Sequence, residues 1–440
     1  MLIAGQLLIE DASADRSGDA ADTADSSRYS GESAKLRRLT GRCRIEPGMV
    51  RVEDGRIAEV ILGECSATAD LGDPQHLICP GFIDAHLHLP QGDMIGAHGM
   101  RLLDWLNQVT FPTESLWQDS DLAERQARRQ LRRCLRVGTT GIGAYATIHA
   151  EATRRALMAA EEIGIRGVIG QVLMDRQAPQ ELCRPATRLI EETAELLDRF
   201  PPGRRTAAAV TPRFAITSTP ELLAMAGKLA EERGAIVQTH LAETADECRE
   251  VERLFAGRGY VEVYEQAGLV SPRSIFGHGI HLDADDRRKL AERGAVIAHC
   301  PVANSFLRSG TMRRAGLIQS GVGIALGSDV GAGYELSMVR VARAMIEAAT
   351  SLNDPIPEAA EAWHAITAGN ADRLGWSDAG RLEVGAPADL LVIRPQIPWL
   401  EGPVDPLARL MFNWDDRWLS QVLLRGQLLR DQLLRNYQFG

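Results

Sequence analysis

The chain has 440 residues, a formal net charge of -10, 45% hydrophobic residues and only 5% aromatics. The acidic balance offers no electrostatic grip on a phosphate backbone or an anionic bilayer, so neither nucleic acid nor membrane is expected as a partner. The length and the Ala, Leu and Val content exclude a disordered polymer and ask for one large α/β domain with a smaller one appended.

In chain order, Leu2 to Ile9 reads as a first strand. Residues 11–35, dominated by Ala, Ser, Asp and Gly, read as an insertion too poor in large apolar side chains to order itself. Met49 to Val60 alternates apolar and polar residues around Asp54-Gly55, a hairpin signal. Ala388 to Ile393 and Val422 to Leu429 read as short strands again, so both chain ends are expected to share one small β-sandwich-like domain. Between them apolar segments alternate with amphipathic helical ones, such as Asp121 to Val137 and Pro220 to Arg233. The apolar segments end near His86, Tyr145, Met174, Phe214, His240, His278, His299 and Asp329, the number a closed (β/α)8 TIM-type barrel requires. The expected boundaries are 1–76 for the first part of the small domain, 77–375 for the barrel and 376–440 for the remainder.

Seven cysteines (Cys43, Cys65, Cys79, Cys134, Cys183, Cys248, Cys300) form no C-x-x-C pair, which argues against a disulfide framework and against a cysteine-built zinc site. The amino-terminal apolar run lacks a basic flank and a cleavage site, and no later stretch reaches transmembrane length. A soluble cytoplasmic protein is the expectation.

The sharpest local signal is Pro80-Gly-Phe-Ile-Asp-Ala-His86-Leu-His88. Two histidines separated by one residue on a strand project from the same face, as a metal site needs, although an isolated pair is also read as ordinary histidines. Context adds to it. His240 closes Ala235-Ile-Val-Gln-Thr-His, and Asp329 closes Val322-Gly-Ile-Ala-Leu-Gly-Ser-Asp, at the end of the barrel where active sites are built. Three His and one Asp suit zinc with a position left for water, and iron or manganese stays open on ligand type alone. Asp329 also reads as a helix N-cap ahead of Glu335. Glu243, three residues after His240, reads as a proton shuttle in the same mouth or as a first-turn helix carboxylate. His278 reads as a group orienting the attacking water or as a buried structural histidine, and His299 as a neighbour behind it. His76, His98, His149, His281 and His364 carry no assignment.

The stretch from Gly81 to Leu374 resembles the amidohydrolase superfamily. Asp54-Gly-Arg-Ile57 and Gly385-Ala-Pro-Ala-Asp-Leu390 resemble its small β-domain. Longer strings resemble the guanine deaminases within it: Leu103-Asp-Trp-Leu-Asn-Gln-Val-Thr-Phe-Pro-Thr-Glu114, Met174-Asp-Arg-Gln-Ala-Pro179 and Thr211-Pro-Arg-Phe214. The resemblance implies zinc held by His86, His88, His240 and Asp329. It implies purine binding by Gln91, Arg213 and Phe214, proton transfer by Glu243, assistance to the water from Asp329, and a homodimer. The implied reaction is hydrolysis of guanine to xanthine and ammonia. Arg213 offers fixed donors for a ring carbonyl, Gln91 a donor and an acceptor, and Phe214 a face for the ring.

The chain departs from the family pattern at the 11–35 insertion, at Phe276-Gly277 before His278, and at Val302-Ala303 beside Asn304. None of these touches an implied ligand. An aminohydrolase of another heterocycle, such as a pterin, triazine or adenine derivative, is the nearest rival, and Gln91, Arg213 and the 103–114 string argue against it. A noncatalytic barrel that binds a protein is the rival from another class. The zinc deaminases with a P-C-x-x-C signature are excluded by the missing motif.

Overall fold

The computed structural model describes residues 1–11, 40–63 and 68–429. The insertion expected over 11–35 therefore lies, from residue 12 onward, outside the described residues. The chain opens with β1 (Leu2–Glu10), β2 (Cys43–Glu53), β3 (Arg56–Leu62) and β4 (Leu71–Pro80). The hairpin between β2 and β3 turns through Asp54 (φ 47) and Gly55 (φ 77). Two successive positive φ angles are what a tight turn matched to the twist of its strands requires. β1 pairs antiparallel with β2 and parallel with β4.

The eight barrel strands follow: β5 (Phe82–His88), β6 (Thr139–Tyr145), β7 (Arg166–Leu173), β8 (Thr206–Pro212), β9 (Val237–Leu241), β10 (Ser274–His278), β11 (Val296–His299) and β12 (Gly323–Leu326). They run parallel, each beside the next, in one sheet. Two backbone bonds beyond the ladder draw its edges together, Asp329 N–H to His86 O at 2.8 Å and His88 N–H to Val330 O at 2.8 Å. This is a nearly closed TIM-type barrel, as expected. Asp329 itself lies past the end of β12, with φ 50.

The outer helices follow their local signals. Ser120–Arg136 starts where the Asp119 side chain accepts from the backbone N–H of Asp121 and Leu122, and it buries Ala123, Ala127, Leu131, Cys134 and Leu135. Pro220–Arg233 starts at Thr219, whose side chain accepts from Leu222 N–H, and stops at Gly234 with φ 61. A capping oxygen satisfies one of the first orphan donors, and a left-handed glycine ends the last turn without a Cβ clash.

The chain then returns to the first sheet through β13 (Leu390–Ile393), β14 (Leu419–Leu424) and β15 (Gln427–Leu428), giving the order β15-β14-β13-β4-β1-β2-β3. The chain ends thus meet in one mixed sheet separate from the barrel. Ile3, Leu7, Val50, Val52, Ile57, Ile78, Leu390, Val392 and Leu423 form one of its apolar clusters. A second cluster joins Leu8, Leu77 and Cys79 of this sheet to Phe82, Trp363, Trp414 and Trp418. Phe82 stands 5.9 Å from the Trp363 ring and 6.0 Å from the Trp414 ring, so the first barrel strand is anchored where the two sheets adjoin.

Candidate active site

The strand exits bring the sequence-predicted metal residues together. Extended backbone in β5 puts His86 and His88 on one side, and both are almost fully buried. His88 Nε2 lies 3.1 Å from His240 Nε2. Asp329 Oδ1 lies 3.3 Å from His86 Nε2 and 3.4 Å from His88 Nε2. A tetrahedral ion with bonds of 2.0–2.1 Å separates its ligand atoms by about 3.3 Å, so these spacings fit a zinc-sized ion. His86, His240, His278 and Asp329 also each offer an atom within 4.8 Å of the others'.

The donor chemistry fits as well. Among the described residues, His86 Nε2 is buried with no hydrogen-bond partner. Burial pushes the His86 imidazole down to about 4 and lowers those of His88 and His240, leaving neutral rings with lone pairs to give. Burial alone would raise the Asp329 carboxyl, but contacts with His86 and His88 outweigh it and hold the group well below the usual range. His240 Nδ1 donates to the Arg213 carbonyl at 2.7 Å, which fixes its tautomer and aims the Nε2 lone pair into the cluster. Behind the cluster, the Asp84 carboxylate accepts from Ser328 N–H at 2.9 Å and from His86 N–H at 3.2 Å, tying β5 to the loop that carries Asp329.

Three non-glycine residues beside the site, Ala242, His278 and Asp329, hold left-handed φ angles of 47, 73 and 50. Such conformations cost on the order of 1–3 kcal/mol each and persist only where the surroundings enforce them. Here hydrogen bonds from Ile280 N–H and His281 N–H to Ala242 O, each 3.0 Å, and from Asp329 N–H to His86 O do so.

Glu243 stands just before the helix Ala245–Leu254 rather than in its first turn. Thr244 is the N-cap, and Glu247 supplies the carboxylate of the capping box. Glu243 is therefore free of that duty. Its Oε1 accepts from Ser309 Oγ at 2.6 Å, and its Oε2 lies 3.4 Å from His278 Nε2. Burial pushes its carboxyl up to about 7, a value suited to carrying a proton near neutrality. His278 Nδ1 donates to Asn304 Oδ1 at 2.9 Å. Burial opposes a charge on this ring, but Glu243 and Asp329 together raise its pKa above the ordinary imidazole value. The N-cap alternative for Asp329 fails, because the helix that follows is Met338–Ser351 with Ser337 at the N-cap.

Above the cluster lies a pocket lined by His88, Gln91, Arg213, Phe214, Glu243 and Asp329 together with the apolar Leu102, Trp105 and Leu106. That mixture of apolar walls and a few convergent polar groups suits a small flat heterocycle. Gln91, Arg213 and Phe214 are all buried, at 1%, 2% and 4% exposure. Glu114 closes the 103–114 string and carries no role in the sequence pattern. Its carboxylate accepts from Arg213 Nη1 at 2.7 and 2.9 Å and from Gln91 Nε2 at 2.7 Å. Trp105 and Leu106, which line the same pocket, likewise carry no role in the sequence pattern.

The other histidines stand apart. His299 ends β11, and neither ring nitrogen has a hydrogen-bond partner. His281 faces Ser309 O, His364 faces Glu10 and His76 faces Asp73. His149 immediately precedes the helix Ala150–Ile163, and His98 is exposed.

The chain is similar in sequence and fold to known proteins. It is 35% identical over 367 residues to the guanine deaminase of Escherichia coli strain K12, covering 81% of this chain and 83% of that one. It is 30% identical over 377 residues to the guanine deaminase of Rattus norvegicus, covering 79% and 82%. A crystal structure of guanine deaminase from C. acetobutylicum with guanine bound in its active site superposes with a TM-score of 0.84 at 25% identity, over 97% of this chain and 99% of that one. The profile of the amidohydrolase family matches residues 77–429, and with the barrel and its His/Asp cluster in view, the chain belongs to that family.

Proposed function

We propose that this chain is a guanine deaminase, hydrolysing guanine to xanthine and ammonia with one zinc ion per chain. The observation that carries the reading is a single pocket in which a polar wall of Gln91 and Arg213, the Phe214 ring, the buried Glu243 carboxyl and the His/Asp cluster all converge. The extent of identity to guanine deaminases supports the substrate.

His86, His88, His240 and Asp329 would hold the ion. His278 is left to face the attacking water, since its Nε2 stands 3.8 Å from Asp329 Oδ2 and closer, at 3.4 Å, to Glu243. When bound, zinc supplies the Lewis acidity that lowers the pKa of a coordinated water from 15.7 toward about 7. Guanine lies against Phe214, with Arg213 donating to the ring carbonyl oxygen and Gln91 meeting the ring edge. The water oxygen forms a bond to carbon 2. Glu243 takes the proton this releases and passes it to a ring nitrogen, so that charge does not build up on the ring. The hydroxyl now on carbon 2 gives up its remaining proton, Glu243 relays a proton to the exocyclic nitrogen, and the carbon–nitrogen bond breaks as the carbonyl of xanthine forms and ammonia leaves. Asp329 and His278 keep the water aligned throughout.

The same reading includes the cytoplasm as compartment and a homodimer as the assembled form. Among the described residues the six cysteines are all free, in keeping with a reducing compartment, and no helix is long and apolar enough to cross a membrane. Light scattering on the purified chain checks the dimer.

The test of the activity is ammonia release by zinc-loaded protein from guanine, adenine, cytosine, 8-oxoguanine, pterins and triazines. Rapid turnover of guanine with xanthine as product supports the proposal. Turnover of a different ring alone would keep the metal site and overturn the substrate.

A further inference from the structure

Arg213 cannot serve as a carbonyl donor unless something fixes its guanidinium in a buried place. It is 2% exposed, and an unpaired cation there would be strained toward any available anion or toward water. The short helix Phe111–Ser115 supplies both supports. Glu114, 1% exposed, takes Arg213 Nη1 on both carboxylate oxygens, and the Phe111 ring lies 5.6 Å from the guanidinium carbon. Among the described residues its side-chain hydrogen bonds all use Nη1, which leaves Nε and Nη2 for a ligand.

The same carboxylate determines which way the Gln91 amide points. Gln91 Nε2 donates to Glu114 Oε1 at 2.7 Å, while Gln91 Oε1 accepts from Gly331 N–H at 3.1 Å. A carboxylate accepts and an amide N–H donates, so the amide has one orientation only. One N–H and one lone pair remain for the pocket. Gly331 suits this close approach, because a Cβ there would lie 2.4 Å from Gln91 O.

We infer that Glu114 is a positioning residue that sets substrate selectivity: it holds the Arg213 guanidinium and the Gln91 amide so that the pocket presents donors to an oxo-purine, without touching the reacting atoms. The inference rests on the guanine reading above and deepens it. It makes a distinction that a merely structural Glu114 would not. Guanine and 2-aminopurine share the amino group to be removed and differ at the ring oxygen, so Glu114 matters for the first and hardly for the second.

The experiment measures kcat and KM for both compounds with the wild-type chain, Glu114→Gln, Arg213→Met and the double variant, with zinc content recorded for each. The double variant replaces the buried ion pair by neutral groups, so it reports even if Glu114→Gln alone folds poorly. For guanine, kcat/KM in Glu114→Gln is expected to fall on the order of 10- to 100-fold, the range for losing a hydrogen bond to a charged group, and mostly through KM. For 2-aminopurine it is expected to hold, and the double variant is expected to be no worse than Arg213→Met. Parallel losses on both compounds, or additive effects of the two substitutions, would overturn the assignment of Glu114 while leaving the guanine reading intact. Absence of guanine turnover in the wild-type chain would instead overturn the guanine reading, and this inference with it.

Discussion

Replacing Glu243 by Gln separates proton transfer from everything else the residue does. The amide keeps the shape of the carboxyl, and its oxygen can still accept from Ser309 Oγ, now 2.6 Å from Glu243 Oε1. Its backbone N–H still reaches Glu247 Oε2, at 2.8 Å in the present chain. The fold and the metal cluster should therefore survive. What disappears is a carboxyl that lies 3.4 Å from His278 Nε2 and that burial has brought to about 7. With the site buried, bulk water offers a poor substitute. General acid–base groups contribute about 10²- to 10⁴-fold, or roughly 2.7–5.5 kcal/mol of barrier. The expected result is a kcat lower by that factor, with KM for guanine and zinc content near the wild-type values, measured by steady-state conversion of guanine to xanthine and by metal analysis. A loss smaller than about tenfold would refute the proton-shuttle role, and a loss of bound zinc would show the residue to be part of the metal site.

Asn304→Ala leaves His278 Nδ1 without its 2.9 Å partner and frees the ring to turn; kcat should drop by about tenfold, the worth of one net hydrogen bond, with unchanged zinc content. An unaltered kcat would mean that His278 needs no such orientation. Glu10 provides a pH test outside the site. Its burial works to raise its pKa, but a hydrogen bond with His364 and the charge of Arg381 outweigh that and lower it below the unfolded value of 4.5. A folded-state pKa below the unfolded one means that the ionised group stabilises the fold above about 4.5, with that contribution lost as pH falls through the folded value. Thermal melts from pH 6 to pH 3 should accordingly show a shallower acid loss for Glu10→Gln than for the wild type, and identical slopes would remove Glu10 from the account.

Much of the barrel was readable because the metal-face residues sit at the ends of apolar β segments, and strand geometry sends those side chains to one end. His86 and His88 needed only the two-residue period. Asp329 and Glu243 were ambiguous because an acidic residue near a helix start is locally compatible with an N-cap, for Asp329, or with a first-turn carboxylate, for Glu243. Tertiary structure decides the matter: Ser337 stands at one N-cap, and Thr244 with Glu247 caps the other helix. The left-handed backbone at His278 and Asp329 left no trace in residue type, since neither is glycine. Glu114 was invisible for another reason. It is 99 residues from Arg213 in sequence and 23 from Gln91, and no spacing rule links groups that meet only when the 102–118 segment folds over the barrel mouth. That segment contains a π-helical turn at Leu106–Thr110 between two short α-helical stretches, which blurs the helical period that sequence reading depends on.

The central claim, a single-ion guanine deaminase built on His86, His88, His240 and Asp329, is tested most directly by titrating metal-depleted protein with zinc while following xanthine formation and bound zinc together. Activity should rise in proportion to zinc and level off at one ion per chain. Guanine turnover that is indifferent to metal, or a plateau only at two ions per chain, would contradict it.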